Sequence, residues 1–123
     1  MGRQPRPVYT ETYYRSMRDS RGNVRPVLLS EQGFHTNSYD DQAQAHQAGS
    51  LWYAMNKVRS LPFVESFHYH RWIDHPDEGG LMLGLRTAPS QSQPHGRPKR
   101  SWYVYQGIGT DQETVVTAGL PQP

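Results

Sequence analysis

With 123 residues, an apolar content of 34% and a mean hydropathy of -0.87, the chain has room for one modest domain with a thin core. The lack of cysteine excludes a disulfide framework and any thiolate metal site, and no apolar run reaches the length of a membrane span or of a signal-peptide core. Thirteen basic and eleven acidic side chains leave a charge of +2, with the excess gathered at Arg3, Arg6, Arg15, Arg18, Arg21 and Arg25; a solvated helix and a frayed terminus account for it, so neither nucleic acid nor a membrane is expected as a partner.

Residues 1–8 read as a disordered lead-in, followed over residues 10–18 by a short helix with Tyr13, Tyr14 and Met17 on one side. Asp19, Gly22 and Asn23 break it with a turn. The stretch 25–36 organises the rest. Pro26 opens a short apolar strand and Gly33 ends it. Strict alternation places Val27, Leu29 and Glu31 on one face and Leu28 and Ser30 on the other.

Ser38 and Asp41 then have the spacing of a capping box. Ala45, Ala48, Leu51, Trp52, Met55 and Val58 follow helical spacing, which predicts a helix over residues 39–59 that stops before Pro62. Residues 63–72 form a second predicted strand, with Val64, Ser66, His68 and His70 on one face and Phe67 and Tyr69 on the other. Roughly thirty residues separate the strands, enough for a crossover and therefore for parallel pairing. Beyond lie a turn-rich loop over 74–80, an apolar segment over 81–86 that suits a hairpin arm across the strand ends, and a flexible polar insert over 87–98. A closing helix over 99–107 and a short turn started by Thr110 and Glu113 complete the chain.

In parallel β/α units chemistry gathers at the carboxyl ends of strands, which singles out Glu31. His68 and His70, with His75 or His35 nearby, have the alternation of a metal site. No acidic ligand has a recognised spacing beside them, so hydrogen bonding to carboxylates or hydroxyls is the preferred role and no metal or other cofactor is expected.

The run Ser30-Glu31-Gln32-Gly33-Phe34-His35-Thr36, the Gln- and Ala-rich helix after it, Phe67-His68-Tyr69-His70-Arg71-Trp72-Ile73-Asp74-His75-Pro76, Gly79-Gly80-Leu81-Met82-Leu83-Gly84-Leu85-Arg86 and Trp102-Tyr103-Val104-Tyr105 carry a resemblance. Together they resemble the C-terminal end of a family of bacterial glycoside hydrolases with TIM-barrel catalytic domains. More broadly they are similar to strands seven and eight of the retaining clan whose nucleophile ends strand seven. The resemblance covers residues 25–113.

It implies an α/β fold that is a partial (β/α)8 TIM barrel, two parallel strands with flanking helices, preceded by a lead-in and short helix over 1–24 and followed by a flexible tail over 114–123. It implies that Glu31 is the nucleophile, that Trp72 is an aromatic platform under the sugar, and that His35, His68, His70 and Arg71 line the cleft. Asp74 either anchors a sugar hydroxyl or caps its loop. The implied partners are a carbohydrate substrate and the missing N-terminal barrel portion, because the acid/base glutamate of that clan sits on strand four, which has no counterpart here. Alone, such a piece is expected to be inert. Two rivals remain: a small interaction protein that uses exposed strand edges, and a metal-dependent hydrolase built on the paired histidines.

Overall fold

Two parallel strands form the sheet, β1 pairing with β2 across a helical crossover in the computed structural model, which describes residues 7–77 and 79–123. The order of elements is α1 (Pro7–Arg15), β1 (Val27–Gln32), α2 (Asp41–Arg59), β2 (Val64–Tyr69), α3 (Arg100–Gly107) and α4 (Glu113–Val116). This is a small α/β architecture with flanking helices, and the parallel pairing follows the expectation from the length of the crossover. The expected lead-in falls mostly on residues 1–6, outside the described residues, while residues 7 and 8 already belong to α1.

The crossover helix α2 ends at Arg59, three residues before Pro62, as the proline rule requires. Its start differs from the capping box expected at Ser38 and Asp41. Asp40 is the N-cap and accepts from the Ala43 N–H at 2.8 Å, while Ser38 Oγ donates to the other Asp40 oxygen at 2.6 Å. A carboxylate serves the positive helix end better than a hydroxyl, and the Ser38 bond, then the Ala43 N–H, hold Asp40 below its ordinary pKa.

The core lies where α2 meets α3 and the sheet. Ala48, Leu51, Leu85, Val104 and Leu120 form its buried centre, with Phe67, Tyr69, Trp52 and Met55 packed around them. Polar side chains also enter it. Gln47, on the same stripe of α2, spends its amide on Phe34 O at 2.8 Å and Gly84 O at 3.1 Å, and its oxygen accepts from Ser101 Oγ of α3 at 2.8 Å. Because every polar atom of this buried amide is used, it ties helix to loop without an unpaired group.

Three segments depart from the expectations above. The 81–86 segment crosses the strand ends but makes single bridges, Thr36 with Met82 and Ile73 with Arg86, instead of a hairpin arm. The 87–98 insert is fastened at its neck, where Thr87 N donates to Arg97 O and Arg97 N donates to Thr87 Oγ1, both at 2.8 Å. Residues 114–123, read as a tail, hold Leu120 in the core, and Pro121 O packs so closely on Gly49 that a Cβ there would collide with it.

Glu113 fastens α4 to α2 through a two-pronged pair, its oxygens 2.8 Å from Arg59 Nη1 and 2.8 Å from Nη2. Arg59 and then the Gly109 N–H pull its pKa from 4.5 to about 2. A carboxylate depressed on folding stabilises the fold above its unfolded pKa and loses that contribution as pH falls through the folded one. Acid titration of unfolding should therefore show wild-type stability declining between pH 4.5 and about 2, and Glu113→Gln should flatten that decline.

Candidate active site at the strand ends

The register of the sheet decides where Glu31 points. Leu29 pairs with Phe67 and Gln32 with Tyr69, so two residues of β1, Ser30 and Glu31, lie opposite one residue of β2, His68. This is a β-bulge, which bends a strand and re-aims its side chains. Strict alternation would have put Glu31 beside Val27 and Leu29, toward the helices. The extra residue instead leaves both Ser30 and Glu31 exposed and gives the half-buried position to Gln32. A carboxylate turned into an apolar core without a partner carries a large desolvation cost, and the bulge avoids it.

The sheet thus has two unlike faces. Phe67 and Tyr69 pack against the helical core. Opposite them lie Leu28, 63% exposed, paired with Ser66, and then Ser30, Glu31 and His68 toward the carboxyl ends. Leu28, Ser30, Glu31 and His68 are all exposed, and Glu31 shares a cleft with Asp40, Ala43 and His46 at the start of α2. His68 Nε2 lies 3.1 Å from Ser66 Oγ, the contact expected of residues two apart on one strand face.

Behind the strands, Tyr69 holds the loop that follows β1. Its hydroxyl lies 2.8 Å from Leu83 O and 3.1 Å from Phe34 O and receives the Gln47 amide at 3.3 Å. Burial pushes this phenol far above its ordinary pKa, so it remains a donor. Gly33 completes the close approach, since any Cβ there would strike the His70 carbonyl. Beside the free edge of β1 opens a cleft of about 980 Å³, lined by Glu31, His35, Asp40, His46 and Leu83 and flanked by residues 121–123.

The structure brings together only part of the expected set. Glu31 and His35 line the cleft; His68, His70, Arg71, Trp72 and Asp74 do not. His70 is half-buried, its N–H donates to Gln32 O at 2.8 Å, and a cis peptide joins it to Arg71. Arg71 is also half-buried, and its carbonyl accepts from the Leu85 N–H at 3.1 Å. Trp72 stands beyond the end of β2 with 60% of its surface exposed.

Of the two roles expected for Asp74, holding its loop is the one its surroundings fit: it is buried and unavailable to a sugar hydroxyl, which corrects its place among the substrate-binding residues. One oxygen accepts from the Gly84 N–H at 2.6 Å and lies 3.0 Å from Lys99 Nζ; the other accepts from Tyr39 Oη at 2.7 Å and lies 2.9 Å from Nζ. The physical reason is Lys99, whose side chain is wholly buried and must have a counter-ion. Burial draws the ammonium below its ordinary pKa and Asp74 opposes that shift. Burial also raises the Tyr39 phenol, and the Asp74 carboxylate adds to the rise while the Ala88 N–H works against it.

Lys99 escaped the sequence reading because it stands between Pro98 and Arg100 in what looks like a basic surface run. Gln47 left a usable signal, falling on the stripe of Gln44, Ala48 and Leu51. Among the described residues no group of three or more His, Asp or Glu side chains is placed to hold a metal ion. What the strand ends offer chemically is the solvated Glu31 carboxylate, with His35 and His46 lining the same cleft and the exposed Trp72 indole beyond the end of the neighbouring strand.

The chain belongs to the Family of unknown function (DUF5722), whose profile matches residues 9–122. No curated protein and no solved structure matches it.

Removing one partner of a buried ion pair strands the other. Asp74→Asn should cost about 3–5 kcal/mol in urea unfolding, whereas Asp74→Asn combined with Lys99→Met should be less destabilised than Asp74→Asn alone. Additive losses would show that the two charges are not coupled.

Proposed function

We propose that this chain forms the last two β/α units of a (β/α)8 barrel glycoside hydrolase and carries its nucleophile, Glu31. The observation that carries the reading is the bulge in β1, which leaves this carboxylate exposed at the carboxyl end of a parallel strand, lining a cleft whose other wall is the first half of α2. In such barrels helices coat the outside, the other face closes on itself, and reacting groups stand at the carboxyl ends of the strands. The exposed face of the sheet here suits that arrangement. It is apolar at Leu28, near the start of the strand, and polar at Ser30 and His68 toward the end.

Two strands cannot close a barrel, and a parallel pair with an exposed face calls for neighbouring strands. Those strands would also supply the second carboxyl group. A retaining glycosidase holds its two carboxyl groups about 5–5.5 Å apart. In the first step the Glu31 carboxylate bonds to the anomeric carbon as the glycosidic C–O bond breaks, and the partner acid protonates the departing oxygen. Water, deprotonated by the same partner, then releases the sugar and regenerates Glu31. His35 and His68 would bind hydroxyl groups, and Trp72 would lie under an apolar sugar face. His70 and Arg71, half-buried behind the strand end, would support that site.

The test supplies the chain with a polypeptide bearing the remaining six β/α units and assays aryl glycosides. The chain alone should be inert and the reconstituted pair active. Glu31→Gln should lower that activity by about 10³-fold or more, the scale on which removing one essential catalytic group acts. An activated 2-deoxy-2-fluoro glycoside should add its glycosyl mass to the peptide containing Glu31. Stable association of the two parts with no hydrolysis and no adduct would favour an interaction protein instead.

A further inference from the structure

An exposed tryptophan ordinarily turns about two side-chain bonds, yet Trp72 is held from behind. Its ring meets that of Trp102, in α3, edge to face, with centroids 4.6 Å apart and planes at 82°. Trp102 is in turn covered by the Arg86 guanidinium, 4.9 Å from its ring centre. Arg86 cannot drift, because Nε donates to His95 O at 2.7 Å and Nη2 donates to Gly96 O at 3.3 Å, while its backbone bonds to Trp72 O and Asp74 N. Loop carbonyls, a cation and two indoles therefore form one stack that ends at the surface. Of its three side chains only the last, Trp72, is largely exposed.

Nothing in the core requires this stack, since Trp72 keeps 60% of its surface in solvent and Trp102 lies at the margin of the buried cluster. Edge-to-face aromatic pairs prefer a defined geometry, and a guanidinium over the second ring adds an attraction of its own. A ring already oriented loses less freedom when a flat apolar ligand face settles on it.

We propose that Trp102 and Arg86 are positioning residues that orient Trp72 as a preformed platform for the C–H face of a pyranose. The pyranose is the part of this inference that rests on the glycoside hydrolase reading; the orientation of the ring does not. Trp102 acts through direct ring contact and Arg86 acts through Trp102.

The two parts are separable by NMR on the ¹⁵N-tryptophan-labelled chain, whose three indole N–H signals are assigned by single Trp→Phe replacements. In the wild type the heteronuclear NOE of the Trp72 indole should match that of the ordered backbone. Trp102→Ala and Arg86→Ala should lower it toward the value of a freely rotating side chain, Trp102→Phe should restore it, and backbone amide shifts of α2 should stay in place in all three as the check on folding. A wild-type Trp72 indole that is already mobile, or one that stays rigid in a folded Trp102→Ala, would overturn the positioning role. Addition of cellohexaose, xylohexaose or mannohexaose should shift the Trp72 indole signal, with about 2- to 10-fold weaker apparent affinity in Trp102→Ala. A rigid Trp72 that responds to none of these sugars would refute the pyranose platform while leaving the positioning intact, and the glycoside hydrolase reading would fail separately, on the absence of hydrolysis and adduct in the reconstituted pair.

Discussion

A single buried ammonium governs how the loops at the carboxyl ends of the strands meet. Lys99 Nζ lies within hydrogen-bonding distance of Asp74, of Thr36 Oγ1 at 3.1 Å and of Met82 O at 3.3 Å, and it faces the Tyr39 ring at 5.5 Å. Those groups come from the loop after β1, the loop after β2 and the 81–86 segment, and Lys99 itself caps the start of α3. A charge withdrawn from water this completely is tolerated only when its geometry is satisfied, so each of these segments is held to one position. Asp74 extends the constraint by accepting from Tyr39 and Gly84.

The consequence for the candidate site is positional. Thr36 is pinned from two sides, by Lys99 and by its backbone bond to Met82 at 2.9 Å, and His35 is its immediate neighbour. Gln47 and Tyr69 hold Phe34 one residue earlier. The loop that carries His35 past the cleft is therefore braced by buried polar groups, although His35 itself is exposed. Polar atoms inside this small core act as ties between loops, a task that apolar packing performs with less geometric precision.

Glu31 and Asp74 show how environment assigns different work to two carboxylates. Asp74 is enclosed, neutralised by Lys99 and fully hydrogen-bonded, which suits structure and leaves nothing for a ligand. Glu31 stands at a bulge, exposed to solvent and lining the cleft, with no counter-ion among the described residues holding it.

Much of this architecture is readable from neighbouring residues. The apolar spacing of α2 and its stop before Pro62, the strands bounded by Pro26 and Gly33, and the crossover long enough for parallel pairing are all local properties of the chain. Choices that depend on residues far apart were not legible. The bulge exists only once β1 is set against β2, the preference for Asp40 over Ser38 as the cap depends on both groups meeting at the helix end, and Lys99 finds Asp74 across 25 positions of sequence. Periodicity reports which side of an element is apolar. It carries no information on which distant partner will satisfy a buried charge, and for Lys99 and Asp74 that pairing was decided by the tertiary structure alone.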